Sequence, residues 1–336
     1  MSKQFQVYGI GNALVDIDIE VSEATLERLA IAKGVMTLID ETSHHRLLQA
    51  LEGIEHLKAC GGSAANTLFT MQQMGGRTFY SCKIGNDEAG DFFYRDLISH
   101  GIHTNLHEAH REGVTGKCIV LVTPDADRTM NTFLGATAHF SKAELSEQAL
   151  KNADYLYIEG YLVASLTARE AAFIARQLAD IHHVKTAMSL SDPNMVTFFK
   201  RELMEIIGRK VEILFCNETE ALLFTDTKDL TLARESLKRV ARTFVITLGS
   251  QGSLVYDGKD FMQVPSYPAK VIDTVGAGDV FTGAFLYCIT HGYHYFEAAD
   301  IANYVASKVV SKYGPRLTDQ EIEACQSILP KEAIYA

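Results

Sequence analysis

Short runs of β-branched and aromatic residues alternate along most of this chain with longer segments whose apolar positions recur every three or four residues. The first kind predicts strands at 5–9, 78–84, 154–158, 185–190, 211–215 and 243–248. The second predicts helices at 63–74, 87–99, 166–182, 217–224, 229–241, 276–291 and 294–312. Strands that alternate with helices build βαβ units, because a parallel neighbour is reached only through a crossover. The expected fold class is α/β, with a mainly parallel central sheet between two layers of helices.

Two regions break this rhythm. Leu14-Val-Asp-Ile-Asp-Ile-Glu-Val21 alternates apolar and acidic residues. The run 114–123 is followed by the acidic turn Pro124-Asp-Ala-Asp127 and then Arg128-Thr-Met-Asn-Thr-Phe133. Period-two patterning of this kind predicts a sheet with one wet face. We read segments at about 13–40 and 112–136 as a small β lid, inserted in one domain that spans 1–336. A lid that closes over a cleft suits a transfer reaction that must exclude water.

Composition agrees with one sizeable core: 336 residues, 47 % hydrophobic and 22 % charged. The 42 acidic and 31 basic side chains leave a formal charge of −11, and no basic run is present. This argues against nucleic acid or an anionic membrane as partner. The six cysteines lack any C-x-x-C pair, and the N-terminus reads as a strand, not a signal peptide. A cytoplasmic location and a small-molecule substrate are therefore expected. The exposed face of a β lid leaves both a monomer and a homodimer open.

The strongest chemical signal is Asp273-Thr-Val-Gly-Ala-Gly-Asp279, which runs directly into an apolar helical segment. Gly276, Ala277 and Gly278 let successive amides point into one concavity, and a helix N-terminus adds its dipole, so the loop can hold an anion. Asp279 beside it faces the attacking group, and the pair predicts phosphoryl transfer to a hydroxyl.

Asn217-Glu-Thr-Glu220 follows a strand at the sheet edge where α/β ligands bind. Asn217 and Glu220 suit a hydrated Mg²⁺, although an N-cap with an acidic first turn also accounts for them. Cys60-Gly-Gly-Ser-Ala-Ala-Asn-Thr67 is a glycine turn that opens a helix; Gly61, Gly62, Ser63 and Asn66 are binding candidates. Gly9-Ile-Gly-Asn-Ala-Leu-Val-Asp16 starts like a dinucleotide fingerprint, but Leu14 replaces its third glycine, so Asn12 and Asp16 read instead as hydroxyl-binding groups. Thr247-Leu-Gly-Ser-Gln-Gly-Ser253 is either a hairpin turn or a lining for nucleotide phosphates. Arg128 is either a lid ion pair or a guanidinium that reaches a transferring phosphate. The histidines at 100, 103, 107 and 110 complete no metal spacing, and no Walker A sequence occurs.

In combination, these segments resemble the ribokinase-like (PfkB) family of carbohydrate and nucleoside kinases. Gly61-Gly62-Ser-Ala-Ala-Asn66 is similar to the family's N-terminal signature, Asn217-Glu-Thr-Glu220 to its magnesium-linked motif, and Asp273–Asp279 to its C-terminal signature. The three occur in the family's order, over roughly residues 5–325. The resemblance implies a three-layer α/β/α ribokinase-like fold with a β lid and ATP with Mg²⁺. It implies Asp279 as base and Gly276 to Asp279 as anion hole. Asn12, Asp16, Gly61, Gly62 and Asn66 would hold sugar hydroxyls, while Thr247, Gly249, Gly252 and Asn303 would lie near the nucleotide. Many members also bind potassium beside the loop that corresponds to Asp273. Within the family the adenosine kinases resemble this chain most, through Gly11-Asn-Ala-Leu-Val-Asp-Ile17 and Leu214–Ala221. Tyr157-Ile-Glu-Gly-Tyr161 resembles their nucleobase-packing segment and suggests Tyr161 as a base contact. Leu162 stands where a second aromatic is common, and Glu159 suits a sugar hydroxyl. The implied reaction is phosphorylation of adenosine to AMP, with a sugar kinase acting on ribose, fructose or a keto-deoxy acid as the alternative.

Overall fold

The computed structural model describes residues 3–54, 56–107, 111–125 and 127–329. Its first seven strands are β1 (Phe5–Ile10), β2 (Leu14–Glu20), β3 (Met36–Leu38), β4 (His56–Gly61), β5 (Thr78–Ser81), β6 (His103–Thr104) and β7 (Gly116–Val122). The others are β8 (Arg128–Phe133), β9 (Ala153–Glu159), β10 (Lys185–Ser189), β11 (Val211–Asn217), β12 (Ala241–Thr247), β13 (Ser253–Tyr256) and β14 (Phe261–Val264).

Nine of these strands form one sheet, in the order β14-β13-β12-β11-β10-β9-β1-β5-β6. Every pair from β12 to β6 is parallel, and the hairpin β13–β14 adds two antiparallel strands at one edge. Both faces are covered, which explains why the strands read as nearly continuous apolar runs. On one face Val7, Tyr157, Ile213 and Val245 pack with the helices Ser63–Gln73, Ala277–Thr290 and Tyr295–Val309. On the other, Tyr8, Ile158, Leu214 and Phe244 meet Leu166–Ile181 and Pro193–Ile207. Leu166–Ile181 lies close through a stripe of Ala168, Ala171, Ala172, Ala175 and Ala179, all buried.

The helix expected at 229–241 ends at Leu237, because Ala241 already begins β12. The chain turns after Leu237 so that Ala241 can pair with Val211 of β11. The helix Pro193–Ile207 was not anticipated, although Asp192 caps it and Pro193 occupies its first turn.

A second sheet has the order β3-β8-β7-β2-β4. The two irregular regions supply β2, β3, β7 and β8. The fifth strand, β4, runs antiparallel to β2 just before the glycine turn. In the sequence this stretch reads only as the approach to that turn. The acidic turn contains Ala126, outside the described residues.

The wet-face expectation for this sheet needs correction. Ile17, Ile19, Ile119 and Leu121 are buried beneath the helices Glu23–Leu29 and Glu41–Ala50. The alternate residues Leu14, Asp16, Cys118 and Val120 face a cavity instead of open solvent. Among the described residues no helix is long and apolar enough to cross a membrane. All six cysteines are free and buried.

Candidate active site

The cavity has a volume of about 350 Å³ and lies between the second sheet and the carboxyl ends of β9, β10, β11 and β12. That is the edge where open α/β sheets bind ligands, and the size falls within the small-molecule range.

Asp279 is fixed by one face of a neighbouring helix. Ser63, Asn66 and Thr67 are spaced three and four apart, so their side chains project together. Ser63 Oγ donates to Asp279 Oδ1 at 2.6 Å, Asn66 Nδ2 to Oδ2 at 3.2 Å, and Thr67 Oγ1 to the Asp279 carbonyl at 3.2 Å. Burial pushes the Asp279 carboxyl up to about 6, against these Ser63 and Asn66 donors. It remains mostly ionised at neutral pH and so can accept a proton. Asn66 Oδ1 is buried without a partner.

Gly276, in the left-handed region at φ 76°, starts the helix Ala277–Thr290. The Ala277 amide is consumed by a turn to Thr274 O at 3.2 Å. The Gly278 and Asp279 amides, one residue deeper, have no backbone acceptor among the described residues. The unengaged amide donors of this loop are thus those of Gly278 and Asp279. Asp273 does not enter the cavity; it braces the loop by accepting from Val275 N and Gly314 N, each at 3.0 Å.

Asp16 lines the cavity from β2, and its carboxylate makes no hydrogen bond among the described residues. Burial, reinforced by the neighbouring Asp18 charge, pushes it up to about 7. A buried carboxylate with open acceptor sites suits a hydroxyl-bearing ligand. Asn12 lies beside it, at the end of β1. Gly62 adopts φ 98°, and a Cβ there would stand 2.1 Å from Asn12 O, so only glycine permits this turn.

Asn217 and Glu220 line the far end and form a capping box. Glu220 N donates to Asn217 Oδ1 at 2.8 Å, and Asn217 N donates to Glu220 Oε2 at 3.1 Å. The cap and the binding role thus share residues. Burial pushes Glu220 up to about 7, and no basic side chain lines the cavity among the described residues to balance it. This uncompensated carboxylate fits a divalent cation, with Asn217 beside it and water between.

Of the other residues singled out in the sequence, Ser63, Thr247 and Tyr161 line the cavity. Gly61 closes β4 opposite Leu14 and does not. Arg128 is also absent from the lining. Its Nη2 lies 2.7 Å from Asp273 Oδ2 and its Nη1 3.5 Å from Asp18 Oδ1, so two carboxylates hold it between the lid and the loop. Gly249 and Gly252 form the corner between β12 and β13. Asn303 donates to Ser253 Oγ, Val264 O and Pro265 O at 3.1–3.2 Å, tying its helix to the edge hairpin.

Glu159 also lines the cavity, and its oxygens already accept from Asn12 and from Ala64 N. Sequence reading also overlooked Met36, Leu38, Val120, Met130 and Leu134, which form an apolar wall on the lid side. The wall draws on β3, β7 and β8, and the period-two spacing of Met36 and Leu38 was its local signal. Among the described residues no cluster of histidine, cysteine or carboxylate side chains could hold a metal by itself; His100 pairs with Asp96, and His110 lies outside those residues.

Known proteins are similar to this chain in sequence and fold. Over residues 30–322 the sequence matches the pfkB family carbohydrate kinases. Adenosine kinase 1 of Arabidopsis thaliana is 27% identical over 334 residues, covering 91% of this chain and 94% of its own. The solved adenosine kinase from Sinorhizobium meliloti superposes with a TM-score of 0.88 at 32% identity, over 96% of this chain and 99% of that one. A probable sugar kinase protein from Rhizobium etli CFN 42 gives 0.89 at 30% identity, over 97% and 98%. Sequence, fold and the paired glycine motifs around Asp279 agree: the chain belongs to the pfkB family of carbohydrate kinases, phosphotransferases that use an alcohol group as acceptor.

Proposed function

We propose that this protein transfers the γ-phosphate of ATP to the 5′-hydroxyl of a nucleoside, converting adenosine to AMP. The observation that carries this reading is the pairing, within one cavity, of a hydroxyl-binding end with an apolar wall. Asp16 and Asn12 stand at the first; Met36, Leu38, Val120, Met130 and Leu134 make the second, with Tyr161 also in the lining. A ribose would sit against the carboxylate and a flat base against the wall. Two of the relatives named above are adenosine kinases, which points the same way.

In this reading Asp279 takes the proton of the attacking hydroxyl, held in line by Ser63 and Asn66. The Gly278 and Asp279 amides stabilise charge on the transferring phosphoryl group at the helix N-terminus. Family membership implies ATP use, generally with Mg²⁺. Glu220, with Asn217, would hold that ion, which neutralises phosphate charge when bound. Lid strands β2, β7 and β8 keep water from the reacting groups.

A sugar kinase is the second reading, favoured by the match to the probable sugar kinase from Rhizobium etli and by Leu162 in place of a second aromatic. The absence of any lysine or arginine from the described cavity lining disfavours an acidic sugar as acceptor. ADP release measured with ATP, Mg²⁺ and panels of nucleosides and free sugars separates the two. The proposal expects kcat/KM for adenosine to exceed that for any sugar, and a higher value for ribose or fructose would replace it.

A further inference from the structure

Glu159, at the carboxyl end of β9, is fully buried and yet has no paired cation among the described residues. Three N–H groups from two other segments converge on it instead. Asn12 N and Asn12 Nδ2 donate to Oε1 at 2.8 and 2.7 Å, and Ala64 N donates to Oε2 at 2.7 Å. The other polar atoms of Asn12 are also engaged: Thr137 Oγ1 donates to its Oδ1 at 3.3 Å and Tyr80 Oη to its carbonyl at 3.0 Å. The packing has no slack, since a Cβ on Gly11 would lie 2.5 Å from Glu159 Oε2.

The contact to Ala64 has a second meaning. The helix Ser63–Gln73 begins at Gly62, which has no side chain to cap it. Glu159 supplies the missing acceptor from another strand, and its negative charge complements the helix dipole. That helix carries Ser63 and Asn66, the two side chains that orient the Asp279 carboxylate.

We infer that Glu159 is a positioning residue: one buried carboxylate sets the rotamer of Asn12 at the acceptor end and the register of the helix that holds Asp279. It lines the cavity, yet its oxygens are taken up by Asn12 and Ala64. It works by making the acceptor subsite and the base parts of one rigid unit. Loss of its geometry should therefore weaken acceptor binding and turnover while the ATP end, around Glu220 and Thr247, is left alone. The activity arm of this inference rests on the nucleoside-kinase reading; the placement of Asn12 does not.

The test uses the full chain with Glu159→Gln, which keeps size and shape but must turn an N–H toward one of the three donors. Steady-state kinetics would be read with adenosine and with ATP varied separately. The Asn12 side-chain amide is followed in parallel by ¹⁵N–¹H resonance, assigned through its loss in Asn12→Ser. The expected result is an adenosine KM raised by roughly tenfold or more, a lower kcat, an ATP KM within about twofold of wild type, and a displaced Asn12 resonance. Glu159→Asp, which keeps the charge but withdraws it, should give the same split if Glu159→Gln does not fold. An unchanged adenosine KM in a folded variant would overturn the inference, as would equal rises in both KM values. Failure of both variants to fold would also overturn it, by making Glu159 a scaffold group. If wild type turns over no nucleoside, the functional reading fails, and an undisplaced Asn12 resonance in the variant then refutes the positioning role separately.

Discussion

Asp279→Asn should abolish most activity and stabilise the empty protein, both for the same reason. The carboxylate is held where its charge is useful to catalysis and costly to the fold. Burial raises its pKa from the usual 3.8 to about 6. The folded state thus binds more protons than the unfolded one between these values, and stability falls as pH rises through the window. Two pKa units correspond to roughly 3 kcal/mol. Because the side chain faces a cavity open to water, about 1–3 kcal/mol is a realistic range. Asparagine removes the charge and keeps the shape. Ser63 Oγ can still donate to its oxygen, and its new N–H₂ group can meet the orphaned Asn66 Oδ1.

Urea unfolding of both proteins at pH 4 and pH 7.5 reads the difference. The increment should be near zero at pH 4, where wild type is mostly protonated, and about 1–3 kcal/mol at pH 7.5. Under the same conditions, turnover of adenosine should fall by roughly 10²–10⁴. A stability increment independent of pH would refute the electrostatic part of this reasoning. Retained turnover would refute the assignment of Asp279 as base.

Two further substitutions probe the rest of the cavity. Gly62→Ala forces a side chain onto a backbone at φ 98° and against Asn12 O; we expect a loss of roughly 1–3 kcal/mol in urea unfolding and a raised adenosine KM. Glu220→Gln keeps most of the capping box but removes the buried charge. Titrating activity with MgCl₂ should show the half-saturating concentration raised roughly tenfold or more, and an unchanged Mg²⁺ dependence would remove Glu220 from the metal role.

The features legible in the sequence were those that lie together along the chain. The loop Asp273–Asp279, the glycine turn at Gly61-Gly62 and the box Asn217–Glu220 each combine local backbone geometry with side chains a few residues apart. Local chemistry therefore identified them, and the strand–helix alternation pointed to a mainly parallel sheet between two layers of helices. What was not legible depends on distant contacts. Glu159 looks like any acid at a strand end until Asn12 and Ala64 are brought to it across 147 and 95 residues. Arg128 reads equally well as a phosphate contact, and only folding brings Asp273 within its reach. The acid-and-apolar alternation of β2 was recognised as a sheet. Which face meets the cavity depends on the helices Glu23–Leu29 and Glu41–Ala50, which cover the side of Ile17 and Ile19. Strand β4 was missed because Lys58-Ala-Cys60 has little strand character of its own and is held by pairing to β2.

The central claim is that Asp279 directs a phosphate from ATP onto the 5′-hydroxyl of a nucleoside bound between Asp16 and the lid wall. The most direct measurement is identification of the product by ³¹P resonance after incubation with ATP, Mg²⁺ and an equimolar mixture of adenosine, ribose and fructose. The account predicts AMP, with the new ester at the 5′ position and almost no sugar phosphate. Accumulation of ribose or fructose phosphate with adenosine left intact would contradict it.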